Sequence, residues 1–387
     1  MGVTHYDSGT MFVPIRSGTP CPVCGKKDGR CSEFYFNNEL LYISCKHVVS
    51  DEPSGLAGWY KHRANNIRNI RYEHKTIPNV KKFEITKEVL ELRNKVYTDL
   101  QAIVRTHISW GLYDEDMADL KRRGLTEEEI WKMGIFSVPK SSHKVWSDKG
   151  NYKIQLVTYI SRKLYDIYGN DLLKVAGFMK LKGKNGDYIS LKTKIRKEGE
   201  KRLSDIRGYF IPYHNYKEQF VGMQYRLSEP VYDEKGKLIR YFWLSSKDAS
   251  SGSPIDCITP SKLKREDVLL VGEGALKMKI ACKKLEYKGV AEAGVTNYTA
   301  LIEEIQMLEV KNRIKYKVIL TFDMDKYEIF QEINGKKTYP VLEAEKKTIE
   351  LLKLTGHEVA IAEWDISLGK GIDDALQNNA KITYKLI

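Results

Sequence analysis

Residues 266–378 alternate short apolar strands with helices, and this pattern limits the possible fold more than any other feature of the sequence. The predicted elements are, in chain order, a strand at Val268–Val271, a helix at Ala275–Lys284, a strand at Val318–Phe322, a helix at Val341–Thr355 and a strand at Val359–Ala362. A strand that is apolar throughout has to be covered on both faces. We therefore expect a parallel sheet with helices on both sides.

Acidic residues follow the predicted strands. Glu273 follows the first strand, Asp323 and Asp325 the second, and Asp373 and Asp374 come after the third. Carboxylates that converge at the carboxyl edge of a parallel sheet repel each other unless a cation lies among them. Because no His or Cys is nearby, the oxygen ligands favour Mg²⁺ or Mn²⁺. One or two such ions would activate either a 3′-hydroxyl for nucleotidyl transfer or water for phosphodiester cleavage.

Four of the six cysteines lie in the first 45 residues, and the first two form the motif CPVCG at residues 21–25. Two thiolates three positions apart on a glycine turn can bind one tetrahedral zinc ion. The segments Glu33–Phe36 and Leu40–Ser44 predict a hairpin that returns the chain to this motif. We expect a zinc ribbon with His47 as the alternative fourth ligand. The predicted zinc ligands are Cys21, Cys24, Cys31 and Cys45.

The residues between the cysteine motif and the α/β segment have different patterns. Residues 83–135 have helical period, with a capping motif at Thr126, and short runs of Tyr, Ile, Val and Phe over 150–265 predict strands and hairpins. Basic residues within 182–202 indicate either a surface that follows phosphates or a solvated loop. The predicted domains are a zinc ribbon at 1–65, a linker at 66–82, a mixed α+β basic subdomain at 83–265 and an α/β subdomain at 266–387.

Composition and charge exclude several classes of protein. Apolar residues make up 42% of the chain and charged residues 30%, which is typical of globular rather than disordered or fibrous proteins. No run approaches the ~20 apolar residues of a membrane span, and the start lacks a signal-peptide pattern, so we expect a cytoplasmic protein with no membrane partner. The net charge of +13 favours a polyanionic partner such as nucleic acid.

The acidic motifs resemble the Toprim domain, which bacterial-type primases share with topoisomerases and some nucleases. GEGALK at residues 272–277 and TFDMD at residues 321–325 are similar to its Glu and Asp-x-Asp motifs. KGIDD at residues 370–374 resembles the element that follows in replicative primases. The resemblance implies an α/β fold with an α+β part, in which the Toprim domain is the C-terminal subdomain.

Upstream segments resemble primase cores in particular. They are DLKRRGLTEEEI at residues 119–130, FIPYH and GMQYR within residues 210–226, and RYFWLSS at residues 240–246. The order of zinc ribbon, basic subdomain and Toprim domain is that of bacterial-type primases. The chain is most similar to compact zinc-plus-Toprim proteins of plasmids, phages and integrative elements, although the usual primase zinc set contains a histidine.

This resemblance implies a DNA primase, which synthesises short RNA primers on single-stranded DNA from nucleoside triphosphates beside a separate replicative helicase. It implies that Glu273, Asp323 and Asp325 hold the catalytic Mg²⁺ or Mn²⁺, and that Asp373 and Asp374 complete the acidic surface. The residues implied for nucleotide or DNA binding are Arg226, Arg240, Lys277 and Lys370. The alternatives are a Toprim-type metal-dependent nuclease and a non-catalytic DNA-binding replication accessory.

Overall fold

The protein forms two compact units in its computed structural model, residues 1–82 and residues 83–387. The structure describes residues 4–5, 10–36, 39–48, 50, 59–63, 85–184, 186–196, 203–232, 238–247, 249–295, 297–328, 331–333 and 336–387. The predicted linker at 66–82 lies outside these residues, as do residues 197–202 of the basic segment. Among the described residues, no helix combines the length and apolar character needed to cross a membrane.

The N-terminal unit contains an antiparallel sheet whose strands are neighbours in chain order. The strands are β1 (Thr4–His5), β2 (Thr10–Ser17), β3 (Asp28–Phe36), β4 (Glu39–Cys45) and β5 (Tyr60–Arg63). Strands β3 and β4 pair with Cys31 opposite Cys45. The predicted hairpin is therefore confirmed, and its turn at residues 37–38 lies outside the described residues.

The first part of the second unit mixes helices with short antiparallel strands. Its helices are α1 (Lys87–His107), α2 (Asp114–Arg122), α3 (Glu127–Lys132) and α4 (Leu156–Tyr168). Its strands are β6 (Phe136–Ser137), β7 (Lys144–Trp146), β8 (Lys153–Gln155), β9 (Phe178–Gly183), β10 (Gly186–Leu191), β11 (Lys194–Arg196), β12 (Leu203–Asp205), β13 (Gly208–His214), β14 (Phe220–Tyr232) and β15 (Leu238–Trp243). The predicted capping box is present, because the Thr126 hydroxyl accepts from the Glu129 N–H.

One sheet, ordered β15-β14-β13-β6, holds this part together. An aromatic side chain from each strand lies on one face, and the ring centroids are 5.0, 4.9 and 4.5 Å apart along the series Phe136, Phe210, Tyr225 and Phe242. Helices α1 and α4 cover this face. Tyr209, Ile211 and Tyr213 on the opposite face pack into the core of the following α/β part. Strand β13 and the first part of β14 are therefore buried on both faces, whereas β15 is partly exposed.

The strand prediction for residues 150–265 is wrong at α4. Leu156–Tyr168 is rich in β-branched and aromatic residues, which favour strands. Its buried residues Leu156, Ile160 and Leu164 recur at every fourth position, however, so a helix presents all of them to the core. Burial of this apolar face overrides the local strand preference.

The α/β part contains a six-stranded sheet in the order β16-β18-β17-β19-β22-β23, whose four central strands are parallel. Its strands are β16 (Asp256–Ile258), β17 (Val268–Glu273), β18 (Lys288–Glu292), β19 (Lys317–Leu320), β22 (Val359–Glu363) and β23 (Thr383–Leu386), and a separate hairpin contains β20 (Gln331–Ile333) and β21 (Lys336–Thr338). Its helices are α5 (Ala275–Leu285), α6 (Tyr298–Asn312), α7 (Pro340–Leu354) and α8 (Ile372–Gln377). The three predicted strands and two predicted helices are confirmed, whereas β18, β20, β21, β23, α6 and α8 were not predicted.

The aromatic series across the first sheet gives a stability prediction. Phe210 is fully buried and contacts two rings of the series, so Phe210→Ala should lower the free energy of unfolding by about 3–5 kcal/mol. Phe242→Ala, at the end of the series, serves as the comparison and should cost less. Urea unfolding followed by circular dichroism measures both. An equal or smaller loss for Phe210→Ala would contradict this account of the core.

Candidate functional site

The candidate active site lies at the carboxyl edge of the parallel sheet, between β17 and β19. The strand order reverses at this point, because β18 lies on one side of β17 and β19 lies on the other. Such a reversal opens a crevice at the carboxyl ends of the strands, where α/β proteins bind ligands. Glu273 is the last residue of β17, and Asp323 and Asp325 follow β19. The fold thus brings the three predicted catalytic residues to one crevice.

Two lysines neutralise the two aspartates. The Lys277 Nζ atom lies 2.5 Å from Asp323 Oδ1, and Lys370 Nζ lies 2.5 Å from Asp325 Oδ2 and 3.5 Å from Asp323 Oδ2. Asp323 and Asp325 are both buried. The ammonium groups offset the electrostatic repulsion between the two carboxylates.

Close backbone approach brings the second lysine to the site. Lys370 precedes Gly371, where a Cβ atom would lie 2.7 Å from Asp373 Oδ1 and 2.9 Å from Lys277 Cδ. The Met324 N–H donates to the Lys370 carbonyl oxygen at 3.0 Å. These contacts fix the loop before α8 against the turn that contains the aspartates.

Glu273 and Glu292 end neighbouring parallel strands as register partners. Burial raises the pKa of Glu273, and the charges of Asp323 and Asp325 add to this effect against those of Lys277 and Lys370. Burial, followed by the charge of Glu273, raises the pKa of Glu292 to about 8. Sequence analysis missed Glu292 because β18 was not recognised. The sequence did contain one indication of this site. An acidic residue follows the short run Gly-Val-Ala and lies two positions before Gly294.

The two aspartates of KGIDD differ in their environment. Asp373 is buried in the first turn of α8, and Arg123 Nη1 lies 3.3 Å from its Oδ2 atom. Burial and the neighbouring Asp374 raise the pKa of Asp373, while Lys277 and Arg123 oppose the shift. Asp374 is exposed. The structure therefore brings Asp373 to the crevice and leaves Asp374 in contact with solvent.

A series of opposite charges connects the first sheet to the crevice. Arg226 on β14 is buried, and its Nη1 atom lies 2.9 Å from Asp119 Oδ2. Asp119 also lies 3.7 Å from Nε of Arg123, which contacts Asp373. Arg123 was missed although it lies within the RRGL segment, since its partner is 250 positions away. Arg240 is exposed on β15, and no described ion pair joins it to this series.

A buried ion pair fixes the turn that follows the aspartates. Lys326 Nζ lies 2.7 Å from Oε1 and 2.6 Å from Oε2 of Glu345 on α7, and both residues are almost fully buried. Removal of one member would leave an uncompensated buried charge, which is strongly destabilising. The pair therefore ties the position of Asp325 to helix α7.

The N-terminal unit contains a second site, formed by Cys21, Cys24, Cys31 and Cys45. Their four Sγ atoms all lie within 4.8 Å of one another. The Sγ atoms of a tetrahedral zinc site are about 3.8 Å apart, given Zn–S bonds of about 2.3 Å, so the cluster fits zinc. Among the described residues, no other group of three or more potential ligands is gathered as closely.

His47 lies next to this cluster but has other partners. Its Nε2 atom lies 2.7 Å from Asp28 Oδ2, and its Nδ1 atom lies 3.2 Å from Lys26 Nζ. Its backbone N–H donates to Cys45 Sγ at 3.4 Å. The structure thus places His47 beside the four cysteines, with its backbone N–H on one cysteine sulfur and its imidazole next to Asp28 and Lys26.

Comparison with known proteins gives one family and several solved structures. The family described as a domain of unknown function, DUF3854, matches residues 264–383, which contain Glu273, Asp323, Asp325 and Asp373. None of the curated proteins matches the chain in sequence.

Several of the matching solved structures are primase domains. One is the DnaG primase catalytic domain bound to ssDNA, which is 15% identical, with 76% of this chain and 80% of that chain covered and a TM-score of 0.45. The E. coli primase catalytic core is 16% identical, with 76% and 77% covered and a TM-score of 0.43. The zinc-binding and RNA polymerase domains of the Aquifex aeolicus primase are 14% identical, with 99% and 81% covered and a TM-score of 0.42.

The cysteine cluster predicts one tightly bound zinc ion per chain. The double variant Cys31→Ala Cys45→Ala should lose this ion, because two of four ligands are removed. The control His47→Ala should keep it, since the imidazole pairs with Asp28. Elemental analysis of the purified proteins measures the zinc content. Absence of zinc from the wild type, or full retention in the double variant, would contradict the assignment.

Proposed function

We propose that the protein is a DNA primase that joins nucleoside triphosphates into short RNA primers on a single-stranded DNA template. The observation that carries the proposal is the convergence of Glu273, Asp323 and Asp325 at the point where the strand order of the parallel sheet reverses. The resemblance of the acidic and upstream motifs to Toprim primases supports polymerisation rather than cleavage as the chemistry of this site.

The donor set of the crevice fits Mg²⁺ or Mn²⁺, because its ligands are carboxylate oxygens without thiol or imidazole groups. Glu273, Asp323 and Asp325 would hold the ion, and Asp373 and Asp374 would complete the acidic surface. A bound ion activates the 3′-hydroxyl and stabilises the charge of the leaving pyrophosphate.

The lysines have a second role in this proposal. Lys277 and Lys370 neutralise Asp323 and Asp325 by direct contact. With a cation held by these carboxylates, the ammonium groups of Lys277 and Lys370 would be available to bind the triphosphate. Binding of metal and nucleotide is then coupled, because each lysine exchanges a carboxylate partner for a phosphate.

Two arginines are proposed to bind nucleotide or template phosphates. Arg240 is exposed on β15 and needs no rearrangement to contact a DNA backbone. Arg226 is buried against Asp119, so it would have to exchange this carboxylate for a phosphate. We also propose that the zinc ribbon grips the template, that a separate replicative helicase supplies single-stranded DNA, and that the protein acts in the cytoplasm for a plasmid, phage or other mobile element.

The acidic site is tested by substitutions that keep shape and remove charge. Glu273→Gln and Asp323→Asn should each reduce primer synthesis about a thousandfold or more, because losing an ion removes several kcal/mol of transition-state stabilisation. Asp374→Asn should be milder, since this residue is exposed. Asp267→Asn, at the amino end of β17, is the matched control and should prime as the wild type. Incorporation of labelled nucleotides on single-stranded DNA measures the rates.

Near wild-type priming by both Glu273→Gln and Asp323→Asn would show that the proposed site is wrong. DNA binding and melting temperature, measured in parallel, identify variants that are merely misfolded. If the wild type degrades DNA and both variants stop doing so, the metal site stands and the nuclease alternative replaces the primase.

The basic segment is tested by the salt dependence of DNA binding. Each phosphate contact on a single strand contributes about −0.7 to the slope of log affinity against log salt. Removing four basic residues of the segment together should flatten this slope, whereas removing four exposed lysines of the α/β part should not. The first set is Lys192, Lys194, Arg196 and Lys197, and the control set is Lys311, Lys317, Lys346 and Lys353. An unchanged slope in the first variant would mean that the segment is a solvated loop.

A further inference from the structure

Glu292 lies on the same face of the sheet as Glu273. The two residues are register partners at the ends of the parallel strands β18 and β17. Val271 and Val290, two positions earlier, are also register partners and pack in the core that contains residues of α6. Because side chains alternate along a strand, Glu273 and Glu292 leave the sheet on this same side. The two carboxylates therefore leave adjacent strand ends on one face of the sheet.

Glu292 has no countercharge among the residues that the structure describes. It is 0% exposed, and its Oε2 atom accepts a hydrogen bond from the Asn297 N–H at 3.2 Å. Its Oε1 atom is buried and has no described hydrogen-bond partner. By contrast, Asp323 and Asp325 pair with lysines and Asp373 with an arginine. A buried carboxylate with an unpartnered oxygen carries a large desolvation penalty.

A purely structural role explains only part of this arrangement. Asn297 precedes α6, so the bond from its N–H makes Glu292 a partner of this helix N-terminus. One neutral oxygen acceptor would be enough for that bond, and a glutamine would supply it. The second carboxyl oxygen has no partner in the packing, and an oxygen at this position suits a cation beside Glu273.

We propose that Glu292 is a further ligand of the divalent metal ion held by Glu273. This inference rests on the proposed metal site and extends it to a residue that belongs to none of the three acidic motifs. In this arrangement β17 and β18 supply two carboxylates on the α6 side of the crevice, and Asp323 contributes from the side of α5. The ion would provide a countercharge for Glu292, which has none within the part of the chain that the structure describes.

The test measures binding of Mn²⁺ alone, by the electron paramagnetic resonance signal of free Mn²⁺, with no nucleotide or DNA present. Glu292→Gln keeps an oxygen for the Asn297 N–H and removes the charge, so it should weaken Mn²⁺ binding about tenfold or more. Glu303→Gln is the matched control. Glu303 on α6 is partly buried, and like Glu292 it has a buried carboxyl oxygen without a described hydrogen-bond partner. This variant should bind Mn²⁺ as the wild type does.

Glu273→Gln separates failure of this inference from failure of the proposed function. If Glu273→Gln weakens binding and Glu292→Gln does not, Glu292 is only a helix-capping residue and the inference falls. An equal loss of Mn²⁺ binding in Glu303→Gln would also overturn the inference. If Glu273→Gln binds Mn²⁺ normally, the metal site itself is wrong and the proposed function falls with it. If Glu292→Gln is less stable than the wild type, the rise in melting temperature on adding Mn²⁺ can be compared instead. This rise should be smaller in Glu292→Gln than in the wild type.

Discussion

Carboxylates that meet at one edge of a parallel sheet repel each other, and the structure around the crevice is arranged to offset this repulsion. Lys277 comes from the first turn of α5, Lys370 from the loop before α8, and Arg123 from the end of α2. Lys277 contacts Asp323, Lys370 contacts both Asp325 and Asp323, and Arg123 contacts Asp373. These contacts bring helices and loops that are far apart in the chain to the ends of β17 and β19.

Neutralisation of the carboxylates also links the two parts of the second unit. Arg226 on the first sheet pairs with Asp119, which also lies near Arg123, and Arg123 contacts Asp373 at the crevice. Tyr209 donates its hydroxyl to Asp119 at 2.9 Å, so the sheet positions this carboxylate directly. A change at the first sheet is therefore connected with the acidic crevice through hydrogen bonds and ion pairs rather than through apolar packing alone.

The sequence was sufficient to predict the features that depend on local pattern. Apolar runs bounded by Gly and charged residues located β17, β19 and β22, and the acidic residues directly after them placed Glu273, Asp323 and Asp325 at one edge. The hairpin that brings Cys31 opposite Cys45 followed from alternating residues around a turn. In each case the signal lies within about ten residues, where secondary-structure periodicity is directly visible.

Features that depend on distant partners were not predictable in this way. Helix α4 was mistaken for strands because its composition favours them, and only the core against α1 selects the helix. Glu292 was missed because β18 is short and begins with Lys-Gly, so it has little strand character without its neighbours. Lys326 and Arg123 gain their roles from Glu345 and Asp373, contacts that no local pattern encodes.

We propose that the acidic crevice polymerises nucleotides on a single-stranded template. The most direct measurement is to incubate the wild-type protein with single-stranded DNA of defined sequence, labelled nucleoside triphosphates and Mg²⁺ or Mn²⁺, and to sequence the products. We expect short new strands that are complementary to the template and that change in sequence when the template changes. Products that form without nucleotides, as shortened pieces of the template itself, would contradict it.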